Sequence, residues 1–187
     1  PCLKSLNWLS VTILTTVGLF SLNVVSEPLT SFIPMPDRIK SVFERLFSQT
    51  PFWDLIVSTC ILAPVCEELL CRGVMLGGML KTTTPMKAIL WSALIFAVMH
   101  MNPWQSIPAF IIGCYFGWIY YRTGSLWLTV LLHSLNNASS SFVAKMWPEA
   151  GVDQGLADLL PGGLYAGIYL VCVVLLFAVV YFLHKRL

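Results

Sequence analysis

The chain is poor in charge. Only 11% of its 187 residues are Asp, Glu, Lys or Arg, while 57% are hydrophobic; a soluble domain has about a quarter charged. Mean hydropathy is +0.79. That leaves too little polar surface to cover a water-soluble body of this size, and intrinsic disorder is excluded by the same numbers. The 11 cations and 9 anions leave a net charge of +2. The cations are scattered singly, so no basic face for nucleic acid forms. Among six cysteines there is no C-x-x-C pair, and all but Cys2 (Cys60, Cys66, Cys71, Cys114 and Cys172) lie in apolar runs. They read as small hydrophobes, not as a disulfide or zinc-ribbon framework. No repeat supports a collagen or solenoid, and residues 21–27 offer no small-residue cleavage pattern, so a signal peptide is not expected. What these absences leave is a polytopic membrane protein.

A span needs about 20 apolar residues to cross roughly 30 Å of hydrocarbon. Six segments come near this: 8–25, 53–80, 86–101, 104–122, 125–147 and 163–183. The expected fold is therefore all-α, a bundle of about six transmembrane spans forming one membrane-embedded domain over 1–187, with its catalytic core over 60–140. The second segment carries Asp54, Glu67, Glu68 and Arg72, and Pro64 in its middle predicts a kink by freeing the carbonyl of Cys60. Residues 37–48 read as an amphipathic helix, with Ile39, Val42, Phe43, Leu46 and Phe47 on one face and Arg38, Lys40, Glu44 and Arg45 opposite. It lies either in the membrane interface or across the end of the bundle. Lys4, Lys81, Lys87, Arg122, Lys185 and Arg186 fall on one side of a six-span arrangement; Arg38, Lys40, Arg45 and Lys145 fall on the other, with Glu149, Asp153 and Asp158. The bias places both termini in the cytoplasm. Three G-x-x-x-G spacings, Gly73/Gly77, Gly113/Gly117 and Gly163/Gly167, predict close helix contacts.

Ionisable groups inside hydrocarbon each cost about 2.5–3.5 kcal/mol and call for a functional reason. Glu68 and Arg72, four apart with the acid first, have the spacing of an intrahelical pair. Glu67 points about 100° away from Glu68, and Arg72 at i+5 cannot comfortably serve both. A carboxylate without an adequate counterion in low dielectric is a stronger base than one in water. Depth then groups the polar residues. Glu67 is 14 residues inside Lys81, His100 is 13 inside Lys87, and His133 and Asn137 are 9 and 13 beyond Gly124. At 1.5 Å per residue all four lie about 14–21 Å deep, on three helices. Without a positioned serine, such a group suggests activated water: Glu67 takes the proton, His100 helps to hold the water, and His133 with Asn137 receives the oxyanion. Asn136 is nearly as well placed as Asn137. Two histidines and Glu67 also match a catalytic zinc set (Glu67, His100 and His133), although no H-E-x-x-H pair is present. A cysteine protease built on Cys66 or Cys71 is disfavoured, because a thiol in apolar surroundings stays protonated. A non-enzymatic membrane binder or immunity factor, or a carrier, is the alternative from another class; carriers usually show paired repeats with broken helices, and only one Pro-interrupted polar span is present.

Glu67-Glu-Leu-Leu-Cys-Arg72, Phe96-Ala-Val-Met-His100 and His133-Ser-Leu-Asn-Asn137 resemble, in order, the E-E-x-x-x-R, F-x-x-x-H and H-x-x-x-N motifs of the CPBP family, the CAAX proteases and bacteriocin-processing enzymes that include the type II CAAX prenyl endopeptidases. The resemblance covers residues 67–137. It implies an α-helical membrane endopeptidase acting on a membrane-associated peptide or protein without bound metal. Glu67 and His100 would activate water, His133 and Asn137 would form the oxyanion site, and Glu68 and Arg72 would support the first motif. Six spans instead of the eight of the eukaryotic relatives is a departure, and nothing outside the motifs points to a prenylated substrate.

Overall fold

The computed structural model describes residues 6–147, 151 and 153–186, with the backbone alone at Thr30. Cys2, Lys4 and Glu149, and the outer limits of the expected domain 1–187, lie outside the described residues. Among those described there are helices and no strands: α1 (Trp8–Thr30), α2 (Asp37–Gln49), α3 (52–79), α4 (Pro85–Val98), α5 (Pro103–Thr123), α6 (Leu126–Met146), the short α7 (Leu156–Leu159) and α8 (Gly162–Arg186). Two stretches, Trp8–Leu29 and Gly162–Arg186, are long and apolar enough to cross a membrane by length and composition.

Local chemistry sets the helix ends. Asn7, Asn102 and Ser125 accept hydrogen bonds from the backbone N–H groups of Ser10, Gln105 and Leu128, which opens α1, α5 and α6. Gly124 closes α5 in the left-handed conformation at φ 67°, and its N–H returns to the carbonyl of Tyr120. The segment expected to span 86–101 stops earlier. α4 ends at Val98, Met101 turns at φ 55°, and α5 begins with Pro103. The Asn102 cap and Pro103 at the first helical position impose that stop. The 14 residues of α4 rise about 21 Å, short of the hydrocarbon thickness. Pro64 leaves α3 helical on both sides. π turns over Ile56–Leu62 and Leu69–Leu76 flank Ala63–Glu68, and Ala63 N–H bonds to the carbonyl of Ser58, five residues back. The wider turn accommodates a residue that has a ring and no N–H.

α1, α5, α6 and α8 meet around Val11, Leu19, Phe116, Ile119, Leu132 and Leu183, all fully buried. Tyr115 adds a hydrogen bond of 2.9 Å from its hydroxyl to the carbonyl of Thr15. α4 lies against α5 through Gly113 and Gly117, where an added Cβ would stand 3.2 Å from Ala93 Cα and 3.1 Å from Ile89 Cγ2. That G-x-x-x-G spacing is a helix contact in this fold, whereas Gly163 and Gly167 face open space. Arg122 donates to the carbonyl of His184, which brings the last turns of α5 and α8 to one end of the bundle. α2 lies at the opposite end, beside the last turn of α6. Lys145 Nζ donates to the carbonyls of Phe47, Ser48 and Thr50 at 3.1, 3.4 and 3.2 Å, capping α2 with a positive charge. Trp104 Nε1 donates to the carbonyl of Pro34, and Lys40 pairs with Asp153 at 2.7 Å. The hydrogen bond to Asp153 raises the pKa of Lys40 above its ordinary 10.5. Ile39, Phe43 and Phe47 are half-buried, while Val42 and Leu46 stay exposed.

Candidate active site

Glu67 and Glu68 sit where the α turn of α3 passes into its second π stretch. Glu68 is fully buried and its Oε1 accepts from Arg72 Nη1 at 2.6 Å, so the i,i+4 pair forms. Arg72, also fully buried, donates through Nη2 to the carbonyl of Gly113 at 3.1 Å. Its guanidinium lies 4.6 Å from the centroid of Phe96 and 5.5 Å from that of Phe116, a desolvated cation between two ring faces. The absence of a side chain at Gly113 brings α5 close to α4 beside this guanidinium.

The same Oε1 of Glu68 lies 3.0 Å from His133 Nδ1. A carboxylate only accepts, so Nδ1 carries the proton and the imidazole is fixed in orientation. Its other nitrogen, Nε2, lies 3.7 Å from Glu67 Oε2. The His133 ring is packed between Phe96 and Phe116, with centroids at 5.4 and 5.6 Å. His133 thus stands between two adjacent carboxylates. One is sealed, and the other retains 26% of its side-chain exposure.

His100 follows α4 in the turn before α5. Its Nδ1 is 3.0 Å from the carbonyl of Phe96; a carbonyl also only accepts, so Nδ1 donates and Nε2 presents a lone pair. Its ring meets Phe96 edge-on at 5.1 Å, which makes Phe96 a wall shared by both imidazoles. Asn137, one turn beyond His133, donates from Nδ2 to the carbonyl of Thr59 on α3 at 2.9 Å. Asn136 turns to α1 and accepts from Asn23 Nδ2 at 2.9 Å. Geometry therefore separates the two asparagines that spacing left equivalent. Glu67, Glu68, Arg72 and His133 are in direct contact or nearly so; His100 joins them through Phe96, and Asn137 through α6 and Thr59. Sequence reasoning missed the bridge from Glu68 to His133, the carbonyl of Gly113 and the link to Asn23. The i,i+4 spacing of Phe96 and His100 was the available signal for the aromatic wall.

Among the described residues, no group of three or more His, Cys, Asp and Glu side chains is placed to hold a metal ion.

Residues 49–139 match the family model described as type II CAAX prenyl endopeptidase Rce1-like. Over this stretch the chain is similar to that family. It is also similar to a protein of Bacillus subtilis (strain 168) named "Putative membrane peptidase YdiL", with 26% identity over 83 residues, 44% of this chain and 34% of that protein. The match thus spans about a third of the relative's length. No solved structure matches the chain. All six candidate residues fall inside the matched stretch, which takes in the last residue of α2, α3 to α5 and the first two thirds of α6, while α1 and α8 lie outside it.

Proposed function

We propose that the chain is an intramembrane endopeptidase that hydrolyses a peptide bond in a membrane-associated peptide or protein with Glu67 as the base. α1, α3, α4, α5, α6 and α8 form a single multi-pass domain in a bacterial cytoplasmic membrane, with α2 in the interface. The observation that carries this reading is His133 held between two carboxylates, Nδ1 on Glu68 and Nε2 3.7 Å from Glu67.

In this scheme water donates one hydrogen bond to Glu67 and another to the lone pair of His100 Nε2. Glu67 takes a proton as the water oxygen adds to the scissile carbonyl. The new oxyanion receives N–H groups from Asn137 Nδ2 and from His133, which for this role carries a proton on Nε2 as well. The cation so formed lies between Glu67 and Glu68, and Glu68 is in turn balanced by Arg72. Collapse of the tetrahedral species breaks the C–N bond, and the proton held by Glu67 passes to the leaving amine. Arg72 and Glu68 act through His133 and do not touch the reacting atoms.

The test is cleavage of an internally quenched, lipid-anchored peptide by the purified full chain in detergent micelles. Wild type should cleave it in the presence of a strong zinc chelator. Glu67→Ala and His133→Ala should lose at least about 10²-fold in kcat, the range typical of a lost general base or oxyanion donor. Loss of turnover with the chelator, restored by zinc, favours the metal-dependent version. Full turnover by a folded Glu67→Ala removes Glu67 from the reaction, and biological activity that survives Glu67→Ala without any proteolysis identifies a binder or immunity factor.

A further inference from the structure

Asn137 does not stand alone at the candidate site. Three carboxamides run in line across the bundle: Asn23 Nδ2 on α1 donates to Asn136 Oδ1 at 2.9 Å, Asn136 Nδ2 donates to Asn137 Oδ1 at 3.4 Å, and Asn137 Nδ2 donates to the carbonyl of Thr59 at 2.9 Å. All three are partly buried. Each has one end that only donates and one that only accepts, so the direction of one side chain sets that of the next. The carbonyl of Thr59, which only accepts, sets the direction at one end of the line, and Asn23 donates to the oxygen of Asn136 at the other. That turns the amino group of Asn136 to the oxygen of Asn137, and the amino group of Asn137 to the carbonyl of Thr59. Reversing Asn137 would set its oxygen against the Thr59 carbonyl, an unpaired contact of two acceptors in a low-dielectric interior.

We propose that Asn23 is a positioning residue for the site. Through Asn136 it holds Asn137 with the amino end toward α3, so that one N–H is engaged by Thr59 and the second is free for the oxyanion. The proposal rests on the endopeptidase reading for its catalytic consequence, but the chain of amides stands or falls independently. It also assigns a role in the site to a helix outside the stretch that matches the family model.

The sequence contains five asparagines, Asn7, Asn23, Asn102, Asn136 and Asn137, so the side-chain amide spectrum of ¹⁵N-Asn-labelled full chain in micelles is small enough to assign. Asn23→Leu keeps the branching at Cγ, removes the donor and the acceptor, and suits a helix. It should move the side-chain resonances of both Asn136 and Asn137 and leave Asn7 and Asn102 in place. Asn136→Leu should move Asn137 in the same way, and the double variant should move it no further. Turnover of the quenched peptide should fall about 10-fold in kcat with KM unchanged in each single variant and in the double. Movement of Asn136 alone in Asn23→Leu overturns the relay. Movement of Asn137 with kcat unchanged overturns the positioning role. If wild type cleaves nothing, the endopeptidase reading and the catalytic role of Asn23 fail together, and the resonances still decide whether the relay exists.

Discussion

Glu68 is fully buried and shares one oxygen between Arg72 and His133, whereas Glu67, the residue before it, keeps 26% of its side chain exposed and meets one imidazole nitrogen at 3.7 Å. The backbone of α3 offers both the same helix, and the 100° between them makes the difference. Glu68 turns into the wedge between α4, α5 and α6, where Phe96 and Phe116 exclude water and every charge must be answered inside the protein. Glu67 turns to the edge of that wedge. A carboxylate that holds a guanidinium and an imidazole on one oxygen and is sealed from water cannot meet a substrate water, and one with a single distant partner at the edge keeps its lone pairs for it. In the proposed mechanism the pair divides the work: Glu68 orients, and Glu67 reacts.

The strongest way to break this comparison is to unbalance the sealed side. Arg72→Met leaves Glu68 as an uncompensated buried charge, and removal of one partner of such a pair costs about 3–5 kcal/mol. We expect the variant to fail to yield folded, monodisperse protein in detergent. Adding Glu68→Gln should restore folded protein with a melting temperature close to wild type, because replacing both members of a buried pair is often close to neutral. A folded Arg72→Met of unchanged Tm contradicts the division. A smaller effect should come from Gly113→Ala. The new Cβ would stand 3.2 Å from Ala93 Cα and from Phe96 Cδ1, so α4 and the aromatic wall must shift. Overpacking of about 1–3 kcal/mol, less about 1 kcal/mol gained in helix propensity, leaves a modest drop in Tm. Because Phe96 walls both imidazoles, kcat should fall by more than the Tm change implies. The smallest effect is expected at Lys145, far from either carboxylate. Lys145→Met uncaps α2, worth about 0.3–1 kcal/mol, and should speed hydrogen exchange over 46–50 with kcat unchanged.

What the sequence disclosed and what it hid follow from the range of the interactions. The Glu68–Arg72 pair was legible because it lies within one turn. The bridge from Glu68 to His133 joins residues 65 apart and exists only once α3 and α6 pack. Asn136 and Asn137 were inseparable by helical spacing, and it took Asn23, 113 residues from Asn136, to tell them apart. The early end of α4 was readable in principle. Asn102 followed by Pro103 is a helix-start signal two residues after His100, but apolar run length concealed it. The helical class and the amphipathic α2 were carried by composition and period, which need no tertiary contact. The π turns beside Pro64 were not, since a proline announces an irregularity without saying which kind.

Most direct is the comparison of Glu67→Gln with wild type, with kcat on the quenched peptide and Tm measured on the same preparation. The substitution keeps the shape of the side chain and removes its basicity. The account predicts a Tm within about 2–4 °C of wild type, the shift expected from about 1 kcal/mol at a part-exposed side chain outside the buried network, together with a loss of at least about 10²-fold in kcat. Retained turnover at an unchanged Tm would contradict it.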